Sequence, residues 1–278
     1  MVNSSVNTLV VLHNSDLASG YDDGLIKIWN SIDGTDRMTL NGHTLGVNSL
    51  AVLDNGDLAS GSNDGLIKIW NLIDGTEKFS LNGYSSTVDS LALLQNGELA
   101  SGYYDGWIII WNLINRTQKI KFLGHSSRVW SLLVIKNGDL VSGSFDGLIK
   151  IWNLFDGTAK MTLRGHSSNV VSLAALHNGY LASGSADNSI KIWNPIDGTE
   201  QKTLSGHLSW VRSLSVLQNG DLASASWDTN IKIWNISNGI EKMTLKCHSG
   251  PVLSLSVLKN GDFVSGSQDK TIKVWSLL

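Results

Sequence analysis

Tryptophan recurs at positions 29, 70, 111, 152, 193, 234 and 275, each 41 residues after the last. A fixed period of roughly 20–50 residues marks a chain built from copies of one unit, each burying its faces only against its neighbours. The contents of the unit decide between a helical solenoid and an array of sheets. The second copy reads GHTLGVNSLAVLDNGDLASGSNDGLIKIWNLIDGTEKFSL. It has no helical apolar period, but four short strand-like runs: Val47–Leu53, Asp57–Gly61, Leu66–Asn71 and Thr76–Leu81. Asn55-Gly56 separates the first two and Asp74-Gly75 the last two, pairs that accept the positive φ of tight hairpin turns. Each copy is therefore expected to be a four-stranded antiparallel meander. Val47–Leu53 is apolar on both pleat faces, which suits a sheet covered on both sides. Sheets of this kind arranged around an axis make a β-propeller. The expected fold is all-β, one domain over residues 1–278, a seven-bladed β-propeller of four-stranded antiparallel blades. Its blades span approximately 1–41, 42–82, 83–123, 124–164, 165–205, 206–246 and 247–278.

The formal charge of −3, pI near 6.1 and scattered 21 Lys and Arg give no electrostatic reason to expect nucleic acid or an anionic membrane as partner. The longest wholly apolar runs, such as Trp107–Trp111, fall far below the roughly 18 residues of a membrane span. The single cysteine, Cys247, forms no internal disulfide, and the opening MVNSSVNTLVVLHNSD lacks the pattern of a signal peptide. A cytoplasmic or nuclear setting is expected, in which the Asn-x-Ser/Thr sites at Asn3, Asn115 and Asn235 carry no glycan.

Near the start of most units stands Gly-His: Gly42-His43, Gly124-His125, Gly165-His166 and Gly206-His207, with Cys247-His248 as a variant. Near the end stands Trp-Asn in six units and Trp275-Ser276 in the last. With the fixed spacing, these residues resemble the WD40-repeat family over essentially the whole chain, although the family's closing Asp is replaced. The resemblance implies a hydrogen-bonded tetrad in each regular blade, running from Trp indole to a Ser of the second strand, to the His, to the Asp of the following turn. The tetrads are His43, Ser60, Asp64 and Trp70; His125, Ser142, Asp146 and Trp152; His166, Ser183, Asp187 and Trp193; His207, Ser224, Asp228 and Trp234; and His248, Ser265, Asp269 and Trp275. Units 1 and 3 supply Ser19 with Asp23 and Ser101 with Asp105, but Tyr84 replaces the His in unit 3, and unit 1 offers Val2 or nothing. Those two blades are expected to be looser.

Ser60, His43 and Asp64 are also the ingredients of a nucleophilic triad. A catalytic site, however, needs one tuned environment, and this set recurs in five units. The repeated histidines lie on different blades, and His13 and His177 have no partner at ligand spacing, so no metal site is expected. No Gly-Lys-Ser/Thr follows the recurrent Ser-Gly-Ser, so no phosphate loop is expected. The chain therefore reads as a non-enzyme without cofactor.

Function has to be sought where the units differ. The slot before the tetrad Asp reads Asp22, Asn63, Tyr104, Phe145, Ala186, Trp227 and Gln268. The slot before the Val that opens each inner strand reads Ser5, Gly46, Thr87, Arg128, Asn169, Trp210 and Pro251, and the slot after it Asn7, Asn48, Asp89, Trp130, Val171, Arg212 and Leu253. Of the Trp outside the framework, Trp130, Trp210 and Trp227 fall in these slots, whereas Trp107 replaces a strand Leu and reads as a packing residue. Tyr104, Arg128, Trp130, Phe145, Trp210, Arg212 and Trp227, with Asp89 nearby, are thus expected to form an accessible patch on the Gly-His rim. Trp and Arg are the residues most often found as interface hot spots, and the resemblance implies that this rim binds peptides. The expected function is a non-enzymatic scaffold for a protein or peptide partner. The competing readings are a purely structural propeller domain of a larger assembly and, further off, a small-ligand or enzymatic propeller using the central channel, for which Asp89 is the one clear carboxylate. The Trp-Asp-x-Arg motif of ubiquitin-ligase receptors is missing, since Trp152-Asn153-Leu154-Phe155 and its equivalents lack the Arg. Two rim arginines are too few for phosphopeptide capture.

After Trp275 three residues remain, where the other blades place an outer strand. Met1–Ser5 reaches at most about 18 Å, too little for that strand and its connection. Blade 7 is therefore expected to lack its outer strand and to expose the edge Lys270–Ser276 to strand addition or self-association.

Overall fold

A computed structural model describes residues 4–82, 84–246 and 248–276. Gly83, Cys247 and the termini 1–3 and 277–278 lie outside the described residues. Among those described, 27 strands form seven antiparallel sheets in sequence order, six of four strands and the last of three. In blade 2 the strands run, from the axis outward, Val47–Val52, Leu58–Ser62, Ile67–Trp70 and Glu77–Leu81. These lie within one residue of the sequence expectation at each end. Gly56 (φ 84°) and Gly75 (φ 75°) form the turns that the Asn-Gly and Asp-Gly pairs announce. Blade 7 consists of Val252–Val257, Phe263–Ser267 and Ile272–Trp275.

The blades stack through apolar faces. Gly61 faces the Val that opens the next inner strand so closely that a Cβ there would sit 2.5 Å from Val88 Cγ1. Gly266 meets Val6 in the same way, again at 2.5 Å, so the junction of blade 7 with blade 1 repeats the packing of the others. That junction is reinforced by the backbone N–H of Leu9, which donates to Ser254 Oγ at 3.0 Å. The same bond links Leu91 to Ser49, Leu214 to Ser172 and Leu255 to Ser213 in other inter-blade contacts.

Each complete blade carries a bulge where its outer strand passes the framework Trp: Ile69 pairs with Phe79, but Trp70 pairs with Glu77, so Lys78 is looped out. Its ammonium reaches Asp57, at the head of the second strand, at 2.7 Å. Blades 1, 3, 4 and 6 make the same pair with Arg37 and Asp16, Lys119 and Glu98, Lys160 and Asp139, and Lys242 and Asp221. In blade 5 both members change together, to Gln201 and Tyr180.

Candidate functional site

Hydrogen bonds between the second strand, the third strand and the Gly-His loop fix the rim. Trp70 Nε1–H donates to Ser60 Oγ (2.8 Å), the Ser60 hydroxyl to His43 Nε2 (2.7 Å), and His43 Nδ1–H to Asp64 (2.9 Å). The chain of donors ends on the carboxylate, which also accepts the backbone N–H groups of Thr44 and Leu66. The sets around His125, His166, His207 and His248 repeat this geometry, with Ser–His separations of 2.6–2.7 Å. Burial pulls the imidazoles of His43, His125 and His248 below their ordinary pKa. Burial acting alone would raise the carboxyl of Asp146, but donors from His125, Leu148 and Ser126 outweigh it and hold it at about 2. Ser60, Ser142, Ser183, Ser224 and Ser265 are fully buried, so no substrate meets their hydroxyls.

Blades 1 and 3, which lack the His, complete the serine's bond differently. Their second strands end in Tyr21 and Tyr103, where the other five blades have Ser. Each tyrosine is 1% exposed, and its hydroxyl bonds the serine that the His would have met, Ser19–Tyr21 at 2.8 Å and Ser101–Tyr103 at 3.2 Å. Trp29 and Trp111 still donate to those serines. In blade 3 Tyr84 turns its hydroxyl to Asp105 and packs edge-on against Tyr103 at 4.9 Å. The signal was present in the sequence: Tyr appears at the end of the second strand only in the two units without His.

The turn slot is tied to the loop slot by the backbone. Phe145 N–H bonds Arg128 O at 2.9 Å, and Trp227 N–H bonds Trp210 O at 3.0 Å. The third slot faces the axis, where Asn7, Asn48, Asp89, Trp130, Val171, Arg212 and Leu253 line a polar channel mouth of about 130 Å³. Asp89 and Arg128, from neighbouring blades, form a bidentate pair, Nε to Oδ2 at 2.7 Å and Nη2 to Oδ1 at 2.5 Å. The Arg128 guanidinium lies 3.7 Å from the Trp130 ring centre and 5.2 Å from that of Tyr104. Trp130 stacks on Phe145 (4.8 Å, 6°), Phe145 meets Trp210 edge-on (6.0 Å, 87°), and Trp210 stacks on Trp227 (4.6 Å, 13°). Arg212 sits 4.6 Å from the Trp130 ring. All eight predicted residues therefore belong to one connected assembly. Blade 5 contributes only Asn169, Val171 and Ala186 to these slots, and Phe145 of blade 4 meets Trp210 of blade 6 past them.

Exposure is less uniform than expected. Tyr104 and Trp227 are exposed, at 59% and 42%, whereas Arg128, Trp130, Phe145, Trp210 and Arg212 are half-buried and Asp89 is buried. The cause is mutual: the rings and guanidinium groups cover one another. Burial pushes the Asp89 carboxyl up to about 6 despite the pull of Arg128, and burial with the nearby Arg128 charge brings Arg212 down to about 10. Trp107 packs beside Tyr84 at 6.4 Å, consistent with a packing residue. Sequence reasoning missed Leu208, 84% exposed and bonded through its N–H to Asp228, next to Trp227. It stands where the other His-bearing units have Thr or Ser, a contrast visible in the repeat alignment.

A ring of seven sheets, five of them carrying Trp–Ser–His–Asp tetrads, defines a WD40-type β-propeller. The sequence profile described as "WD domain, G-beta repeat" matches residues 3–30, 34–71, 75–112, 116–153, 157–194, 198–235 and 239–276, and the chain belongs to that family. A crystal structure of the WD40 β-propeller domain of Doa1 is similar over 100% of this chain and 94% of that one, at 26% identity and a TM-score of 0.90. No curated protein matches the sequence significantly. Propellers of this family serve in general as protein-interaction scaffolds.

Proposed function

We propose that the chain is a non-enzymatic scaffold that holds a protein or peptide segment on the Gly-His rim, across blades 3, 4 and 6. The observation that carries this reading is the unbroken stack from Tyr104 through Arg128, Trp130, Phe145 and Trp210 to Trp227. A stacked set of rings is already ordered before a partner arrives, so little side-chain entropy is lost on binding. Its open end, the exposed Trp227, suits an apolar or aromatic anchor, and Arg212 at the channel mouth suits an acceptor on the same segment.

Affinity purification with quantitative mass spectrometry tests the reading, comparing the parent with Trp130→Ala/Trp227→Ala and with Ile73→Ala/Phe155→Ala in the outer turns, where those two side chains are 92% exposed. The rim variant is expected to lose partners that the turn variant keeps. Equal recovery by both variants would sink the rim assignment.

A further inference from the structure

The outward edge of Ile272–Trp275 has no neighbouring strand among the described residues. Val274 is 59% exposed, whereas its counterparts under complete outer strands, such as Ile69 and Ile233, are 1% and 3% exposed. Beside it runs a groove of about 940 Å³, lined by Ile272, Val274, Val264 and Leu258 of blade 7 and by Leu17 and Trp29 of blade 1.

The complete blades specify what fits this groove. Their outer strands run antiparallel to the third strand, with Leu opposite its first Ile in five of six, as in Ile231–Leu245, and with an apolar residue opposite the Ile before the Trp in five of six, as in Ile233–Met243, blade 5 having Lys202 there. The looped-out residue is a cation wherever an acid immediately precedes the second strand, and is not one in blade 5, where the acid is absent. Blade 7 keeps the acid, Asp262, yet Asp262 has no ion-pair partner among the described residues. Half of a charge pair is in place, and its counterpart would arrive with the missing strand.

We propose that blade 7 is completed by an extended segment of a partner protein, antiparallel to Ile272–Trp275. The segment carries an acid or other polar residue opposite Trp275, then Lys or Arg looped out onto Asp262, an apolar residue opposite Val274 and Leu opposite Ile272. Main-chain bonds to the edge supply affinity, and the Asp262 contact with the two apolar positions sets the register.

The test uses the full chain and a labelled synthetic peptide with the sequence of residues 238–246, NGIEKMTLK, read by fluorescence anisotropy and amide hydrogen exchange. Saturable one-to-one binding and slowed exchange across 272–275 are expected. Replacing the first Lys of the peptide by Glu sets like charges together and is expected to weaken binding about tenfold. Asp262→Lys in the protein is expected to restore binding of the Glu peptide. A reordered peptide of the same composition binding equally, or unchanged exchange at 272–275 under saturation, overturns the proposal. An unaltered affinity of the Glu peptide overturns the Asp262 contact, and that comparison holds even if Asp262→Lys fails to fold. Self-association in sedimentation with the same amides protected before peptide is added would make the occupant a second copy and also overturn it.

Discussion

Trp227 lies on Trp210 with ring centres 4.6 Å apart and planes 13° from parallel, and the two belong to one blade, joined through the Trp227 N–H to the Trp210 carbonyl. One residue of the pair faces solvent, and the other is wedged between Trp227 and Phe145. Truncation therefore has different consequences on the two sides. Trp227→Ala is expected to cost about 2 kcal/mol or more of partner binding and less than about 1 kcal/mol of stability. Trp210→Ala removes contacts to two rings and is expected to lower both. Isothermal titration with a captured partner, together with thermal unfolding, separates the cases. Similar stability losses for the two variants would mean that Trp227 is a packing residue.

The tetrads lead to a second prediction. Ser142 accepts from Trp152, donates to His125 and is fully buried. Ser142→Ala leaves an indole N–H and an imidazole nitrogen unpaired in the interior, at roughly 1–3 kcal/mol for each. Tyr103→Phe removes only the hydroxyl that stands in for the His of blade 3, leaving the ring packed against Tyr84. It is expected to destabilise by about 1 kcal/mol, clearly less than Ser142→Ala, in equilibrium denaturation. The reverse order would show that the tyrosine, rather than the His-bearing set, is the stronger tie.

Acid should weaken the ring. The folded pKa values of His43, His125 and His248 lie below the ordinary 6.5, and those of the tetrad aspartates lie below the ordinary 3.8, with Asp146 and Asp269 at about 2. Depressed values mean that the unfolded chain binds more protons as the pH falls. The histidine contribution is therefore present above about 6.5 and lost below it, and the carboxylate contribution is lost from about 4 down to about 2. The turn aspartates Asp33, Asp74, Asp156 and Asp197, held low by bonds from the following Thr, act in the same direction. Asp89, raised to about 6, opposes them: its contribution is present below about 4 and is lost as the pH rises through 6. Many groups outweigh one, so scanning fluorimetry is expected to find Tm level near pH 7–8, falling below pH 6 and falling faster below pH 4. A Tm that rises between pH 7 and pH 5 would assign the dominant role to Asp89.

Repetition explains which features were legible in the sequence. The 41-residue period, the Gly turns and the Trp–Ser–His–Asp sets each occur several times, so noise at one unit is corrected by the others. The rim slots could be read as variable and aromatic, but variability does not reveal which rings cover which. Asp89 and Arg128 are 39 residues apart on different blades, and nothing local couples them. The tyrosine replacement escaped notice because it fills the place of the His from another position: the His arrives on the loop before the inner strand, whereas Tyr21 and Tyr103 arrive two residues after the serine they bond.

The unpaired edge of blade 7 provides the sharpest contrast between equivalent positions. Ile233 and Val274 are 41 residues apart and occupy the same place in their third strands, but one lies under an outer strand at 3% exposure and the other faces solvent at 59%. A lysine at position 233 would carry its charge into a packed junction, so Ile233→Lys is expected to destabilise by more than about 3 kcal/mol or to prevent folding. Val274→Lys places the charge in water beside Lys273, and its stability is expected to stay within about 0.5 kcal/mol of the parent. The same charge blunts the edge as a template for further strands. Fluorescence anisotropy should therefore show that binding of the 238–246 peptide to the edge is lost in Val274→Lys. A large fall in Tm for Val274→Lys would mean that the position is covered in solution.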